Sequence, residues 1–363
     1  MKRAVLGVLG AVAVASTACG VRGQGGRATS CVMANGEEPG AAWEAVCEAL
    51  AAEADARDGA LLVGTADGVV MTWSSGEVSA QTRHPIASAS KWLTAAAIMR
   101  LVERGELALD ARASDHLVWW STDADDPRSR VTLRTLLAFT SGFEGGAVAV
   151  RCVNDADTTL QECARALHDE WHRHEPGEVY FYGPAHLHVA AAMAEAATER
   201  AWSEIFADEV VAPLGMDPST RYTISSEANP RVAGGIEASG ADYARFLTEL
   251  MAGRYLADAR AEMLSDQSKG ARIAQSPITA SGQEWRYALG AWKECQRASY
   301  GGACPQEQVY SSPGLYGFYP WLDARRGYWA VWSTKKSIWS NPSKRSVQLG
   351  QKVRPEIEAA LGL

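Results

Sequence analysis

Residues 84–110 read HPIASASKWLTAAAIMRLVERGELALD. From Ser88 the apolar residues recur at helical spacing until Gly105, a residue that closes helices because it tolerates a left-handed backbone. The spacing predicts a helix over 88–105. Ser88 and Lys91 form an S-x-x-K pair at its start, and residues three apart on a helix share a face. A serine hydroxyl is a poor nucleophile unless a base stands within hydrogen-bond reach. Burial and nearby positive charge can depress a lysine pKa far enough for it to accept the serine proton. The helix N-terminus adds free N–H groups where negative charge would develop on an attacked carbonyl.

The pair is weak on its own. With 28 serines and eight lysines in the chain, roughly 0.6 such matches arise by chance. Ser333–Lys336 is one of them, following a strand pattern and opening no strong helix. A capping serine with a solvated lysine is the plain alternative for Ser88 and Lys91.

Outward from this helix the chain is organised simply. Residues 41–57 repeat apolar residues at helical spacing and end at Asp58-Gly59. Residues 60–73 are two apolar runs around Ala66-Asp67-Gly68, a hairpin signal. The stretch 106–225 is mainly helical pattern broken by polar loops. From about 285 the chain turns to aromatic and β-branched strands (WRYALGAWKE, GLYGFYPWLD, GYWAVWST) before a last helical stretch at 346–362. Strands at both ends with helices between them predict one sheet built from both termini, with a helical insertion.

Six stretches in this order resemble the serine β-lactamase-like superfamily in its class C β-lactamase, penicillin-binding-protein and esterase branch. Residues 84–110 are similar to that family's nucleophile helix and its G-x-L-x-L-D turn. VTLRTLLAFTSGF (131–143) is similar to its T-x-x-x-L-L-x-H-T-S-G segment, with Phe139 where histidine is usual. PGEVYFYG (176–183) resembles P-G-x-x-F-x-Y-S-N, VVAPLGMDPSTRY its PLGM turn, and NPRVAGGIEASGADYARFLTELMAGRY its A-G-G-x-x-S helix entry. YSSPGLYGFYPWLDARRGYWAVW resembles its last catalytic strand and hairpin. The resemblance covers most of residues 60–335 and implies an α/β β-lactamase/transpeptidase-like fold: an antiparallel sheet flanked by terminal helices, plus an all-α subdomain, with the active site in the groove between them. The α/β part is expected at about 41–105 and 226–363 and the helical part at about 106–225.

Carried over by position, the resemblance makes Ser88 the acylated nucleophile, Lys91 its base partner and Tyr182 the motif tyrosine that assists proton transfer. A phenol with its pKa lowered by Lys91 would suit that role. The usual asparagine of this motif is replaced by Pro184, which has no polar side chain. The third motif is best matched by Ser312-Pro313-Gly314. Gly314 keeps the small residue expected to let substrate lie against the strand. Ser312 replaces a cationic or imidazole group and weakens the expected grip on a substrate carboxylate. The oxyanion hole would pair the N–H of Ser88 with that of Leu315.

Other constellations fit less well. No G-x-S-x-G elbow is present. His168, His172 and His174 lie among charged residues and read as a solvated helix end, because the zincin pattern needs glutamate directly after the first histidine. His186 and His188 are expected to pack or to line the groove. Trp92 and Trp321 are candidates for desolvating the site. The chemistry needs no metal or organic cofactor.

Seven cysteines are an odd number. Met1-Lys2-Arg3, an apolar run over 4–15 and ASTAC before Cys19 read as an export signal of about 18 residues, too short to stay as a membrane span. Cys19 stands where a lipoprotein signal places its acylated cysteine, and 19–40 reads as a Gly-rich, polar tether. Export and spacing favour disulfides Cys31–Cys47, Cys152–Cys163 and Cys295–Cys304. Hydrophobic residues at 47% and charged residues at 21% exclude wholesale disorder. A net charge of −8 gives no electrostatic case for nucleic acid. The expected protein is an exported, lipid-anchored monomer on the periplasmic side of a bacterial membrane. It hydrolyses a small-molecule or peptide ester or amide through an acyl-enzyme. The alternative is a degenerate member that binds cell-wall fragments or a protein partner in the same groove.

Overall fold

The computed structural model describes residues 29–144, 147–170, 174–295 and 308–363. In chain order the N-terminal part contributes β1 (Thr29–Met33), α1 (Ala41–Ala52), β2 (Gly59–Thr65), β3 (Gly68–Ser75), β4 (Arg83–Pro85) and α2 (Ser90–Glu103). The middle contributes α3 (Ala113–His116), α4 (Leu133–Leu137), α5 (Ala147–Cys152), α6 (Leu160–Asp169), β5 (Val179–Phe181), α7 (Ala185–Thr198) and α8 (Trp202–Phe206). Then follow β6 (Arg221–Tyr222), β7 (Ile236–Ser239), α9 (Gly240–Ala252), α10 (Arg260–Met263), β8 (Arg272–Gln275), β9 (Arg286–Tyr287) and β10 (Trp292–Glu294). The chain ends with β11 (Val309–Ser311), β12 (Tyr319–Asp323), β13 (Tyr328–Thr334) and α11 (Pro342–Ala360).

Eight strands form one antiparallel sheet in the order β1-β3-β2-β13-β12-β11-β10-β9. Strands from both ends of the chain meet where β2 pairs with β13, Leu62 opposite Val331 and Leu61 opposite Trp332. All seven residues of β13 and all five of β12 are buried. Side chains alternate between the faces of a strand, so both faces of this sheet must be covered. Gly240 of α9 packs on Leu62 and Ser333 on one face, and Gly350 of α11 packs on Tyr319 and Trp321 on the other. A side chain at either glycine would hold the helix off the sheet.

The insertion is helical, α3 to α8, with two small sheets at its border: β4-β7-β6 and the parallel pair β5-β8. The fold is thus the α/β β-lactamase/transpeptidase fold, with its antiparallel sheet and helical subdomain. Among the described residues no helix is long and apolar enough to cross a membrane.

Several expectations need correction. The tether drawn over 19–40 runs too far, because Thr29–Met33 is an edge strand paired with Met71–Ser75. Its small and polar residues suit an edge strand whose Val32 stays exposed. The first helix ends at Ala52, with a 3₁₀ turn at Ala54–Ala56, and the last begins at Pro342 rather than 346. Cys31–Cys47 and Cys152–Cys163 are disulfides as the spacing favoured. Cys295 is also disulfide-bonded, whereas Cys304 and Cys19 lie outside the described residues, as does the leader.

Candidate active site

The helix expected from residue 88 begins as a 3₁₀ turn, Ala87–Ala89, running into α2 at Ser90. Ala87 has φ +49°, a left-handed conformation that is costly for a residue with a Cβ. It directs the chain so that Ser88 sits at the mouth of the turn, half-buried. Three side chains of α2 then bind one backbone segment, 232–236. Ser90 Oγ accepts from Ile236 N–H at 3.1 Å, Lys91 Nζ donates to Ala233 O at 2.6 Å, and Thr94 Oγ donates to Val232 O at 2.6 Å. Ser90, Lys91 and Thr94 share one face of the helix by their spacing.

Lys91 Nζ also lies 3.1 Å from Ser88 Oγ. The lysine is only 5% exposed, and among the described residues no carboxylate pairs with it. Burial, with the Arg231 charge adding to it, lowers the ammonium pKa to about 7. A large share of Lys91 is therefore a neutral amine at neutral pH, with a lone pair able to accept a proton from Ser88.

Tyr182 follows β5. Its ring lies 4.7 Å from Lys91 Nζ and stacks on Trp292 at 5.3 Å and 17°. Phe139 packs beside it at 5.5 Å. This packing corrects the expected electrostatics: burial raises the phenol pKa above its ordinary value, opposed only by a hydrogen bond with Ser88. The phenol therefore keeps its proton at neutral pH and is available as a donor. Phe139, in the usual histidine position, stacks on His186 at 4.8 Å and 10°. His186 Nε2 donates to Phe181 O at 2.8 Å, so its Nδ1 accepts from Ser141 Oγ at 2.8 Å. The imidazole braces the strand that carries Tyr182, as packing and not as a metal ligand. Pro184 opens α7, where its carbonyl accepts from His188 N–H.

The opposite wall is the extended segment after β11. Ser312 Oγ donates to Ser88 O at 3.0 Å, so the hydroxyl is committed to the turn that carries Ser88. Gly314 N–H donates to Phe318 O, and a Cβ at Gly314 would collide with the Ile86 carbonyl. Its smallness lets the strand approach the turn that carries Ser88. The Leu315 side chain is exposed. Among the described residues neither the Ser88 N–H nor the Leu315 N–H has an acceptor, as two donors awaiting an oxyanion require.

Other candidates fall elsewhere. Trp92 packs edge-on against Phe246, and Trp321 lies under Arg354. The tryptophan at the site is Trp292, which the sequence did not single out. His168 is buried against Trp120 at 4.7 Å, not solvated as expected, while His172 lies outside the described residues. Ser333 belongs to β13 and Lys336 bonds Asp55, so the second S-x-x-K is accidental. Among the described residues no three histidine, cysteine or acidic side chains converge as metal ligands would.

The family model described as Beta-lactamase matches residues 43–348. Protein flp of Staphylococcus aureus strain MW2 is 26% identical over 144 residues, which are 40% of this chain and 29% of that protein. The chain thus matches under a third of that relative's length. Among solved structures, a β-lactamase from Mycobacterium bovis superposes with a TM-score of 0.60 at 22% identity, covering 85% of this chain and 99% of that one. EstCE1, a hydrolase with promiscuous acyltransferase activity, superposes with a TM-score of 0.69 at 18% identity, covering 87% and 97%. At these identities the two structures speak for the fold, and the family model, spanning most of the chain, places it: this protein belongs to the Beta-lactamase family.

Proposed function

We propose that the protein is an exported serine hydrolase that forms an acyl-enzyme on Ser88 and acts on esters or amides with small acyl groups. The observation that carries the reading is Lys91: buried, without a carboxylate, depressed to about 7 and 3.1 Å from Ser88 Oγ. Neutral Lys91 takes the Ser88 proton as Oγ bonds the substrate carbonyl carbon. The resulting oxyanion is held by the N–H groups of Ser88 and Leu315. The proton passes to the leaving group as its bond to carbon breaks, with the Tyr182 phenol donating and being refilled from Lys91. Water then attacks the acyl-enzyme, giving up its proton by the reverse path, and Ser88 is restored.

Two departures favour simple esters and amides over efficient β-lactam turnover. Pro184 offers no side-chain contact for a substrate amide, and Ser312 spends its hydroxyl on Ser88 O. The leader and the disulfides support export to an oxidising compartment, with Cys19 the proposed acylation site. Incubating the mature protein with a fluorophosphonate and with a fluorescent penicillin, then mapping adducts by mass spectrometry, tests the reading. An adduct on Ser88 that is lost in Ser88→Ala supports it. Folded protein that reacts with neither probe contradicts it and favours a groove that only binds. Rates on a short-chain nitrophenyl ester and a chromogenic cephalosporin then rank the substrates, with the ester expected to lead.

A further inference from the structure

One end of the large sheet gathers features that acyl transfer does not use. Thr29, Ser75, Gly59 and Thr334 are partners in a single row across β1, β3, β2 and β13. β1 begins and β13 ends in this row, three strand spacings or about 14 Å apart. Cys19 stands ten residues before Thr29, a reach of at most about 35 Å.

Directly after Thr334 the chain reads KKSIWSNPSKR (335–345), four cations and no acid in a protein of net charge −8. Ile338–Ser340 form a 3₁₀ turn, fixed where Ser340 N–H and Oγ donate to Ser337 O and Asn341 N–H donates to Ile338 O. Lys336 Nζ ties the base of the turn to the Asp55 carbonyl, and the buried Pro342 starts α11 behind it. The turn holds Trp339 outward at 91% exposure and leaves Ile338 exposed. Among the described residues the other tryptophans are buried or half-buried. Asp55 is taken by Arg345, and Lys335 and Lys344 have no ion-pair partner among the described residues. The groove rim is adjacent: Tyr316 O accepts from Lys336 N–H at 2.9 Å, and Leu315 beside it is exposed.

Two protruding apolar side chains ringed by cations are too small a patch for a stable protein interface. They fit the headgroup layer of a bilayer, where an indole lies at the acyl boundary and ammonium groups meet anionic phosphates. We propose that the Ile338-Trp339 turn, with Lys335 and Lys344, is a membrane contact that seats this end of the sheet on a bilayer of anionic headgroups. The choice of occupant rests on the proposed acylation of Cys19, which brings the chain to a bilayer at this same end. A tether alone leaves the domain free to tumble, whereas the added contact turns the groove rim towards the headgroups.

The mature chain carrying Cys19→Ser has no acyl group and tests the surface by itself. Sedimentation with vesicles should show tighter partition onto phosphatidylglycerol mixed with phosphatidylcholine than onto phosphatidylcholine alone, and release by salt. Trp339→Ser and the double variant Lys335→Glu/Lys344→Glu should each weaken that partition about tenfold or more, with an unchanged urea midpoint. Brominated lipid should quench the parent chain more than Trp339→Phe, which places the indole itself at the acyl boundary. Equal partition onto both kinds of vesicle, or partition unchanged in either Trp339→Ser or the double variant, overturns the proposal. The mass of the Cys19 peptide from cells reports acylation separately, so failure of the anchor and failure of the surface are distinguishable.

Discussion

Lys91 in the groove and Arg354 beneath the sheet are both cations at 5% exposure, and the fold treats them in opposite ways. Arg354 Nη1 meets Glu294 Oε2 at 2.7 Å, its Nη2 donates to the Tyr319 hydroxyl at 2.6 Å, and its guanidinium lies 5.1 Å from the Trp321 ring. Burial opposes its charge, but Glu294 and Tyr319 overcome that and hold the guanidinium above its ordinary range. Lys91 has a backbone carbonyl, a serine hydroxyl and a like charge for neighbours, so burial prevails and its pKa falls to about 7. Equal burial thus gives a fixed charge where a carboxylate is supplied and a proton acceptor where one is withheld. On the proposed reading, one site serves stability and the other chemistry.

Replacing the two residues separates these roles. Lys91→Met is expected to lower kcat/KM on a nitrophenyl ester by about a thousandfold or more, since it removes the base. Melting curves should show it as stable as the parent or more so, because a costly buried amine is gone. Arg354→Met is expected to do the reverse. It takes from the buried Glu294 the guanidinium that Arg354 supplies, at a cost of about 3–5 kcal/mol, read as a lower urea midpoint, while fluorophosphonate still labels the protein that remains folded. If Lys91→Met proves as destabilising as Arg354→Met, the contrast drawn between the two cations fails.

The titration of Lys91 sharpens the same contrast. Its folded pKa is below its unfolded value, so between about 7 and 10.5 the unfolded chain binds the extra proton. Stability should rise with pH across that window, and Lys91→Met should lack this component when the two curves are subtracted. A smaller effect is expected of Tyr182→Phe, which keeps the stacking on Trp292 but loses the phenol proton. About a ten- to hundredfold fall in kcat is expected with KM little changed. Loss confined to KM would mean that the ring only shapes the pocket.

The helix of Ser88 and Lys91 was legible because its information is local: periodicity, a stop at Gly105 and a pair spaced by one turn. The sheet assembled from both termini was legible from where the strands lie. What could not be read is what arrives from far along the chain. Ala233 meets Lys91 across 142 residues, and Trp292 reaches Tyr182 from another strand. Lys91 and Tyr182 were named by their motifs, but nothing in a linear string says which distant residues touch them. The phenol shows the same limit in energetic form. The sequence places a cation near Tyr182 and suggests a lowered pKa, whereas the rings of Phe139, Tyr287 and Trp292 around it impose the opposite shift. Ser312 and Gly314 were found by pattern, yet their roles turn on Ser88 O and the Ile86 carbonyl, which only the fold brings near.

The central claim is that Lys91 is the neutral partner of Ser88, and the pH dependence of Ser88 acylation tests it most directly. Labelling rates with a fluorophosphonate should rise with pH through a single midpoint near 7 and stay level to about pH 9, because the phenol of Tyr182 remains protonated there. A rate that climbs only above pH 9, or one that ignores pH altogether, would contradict the account.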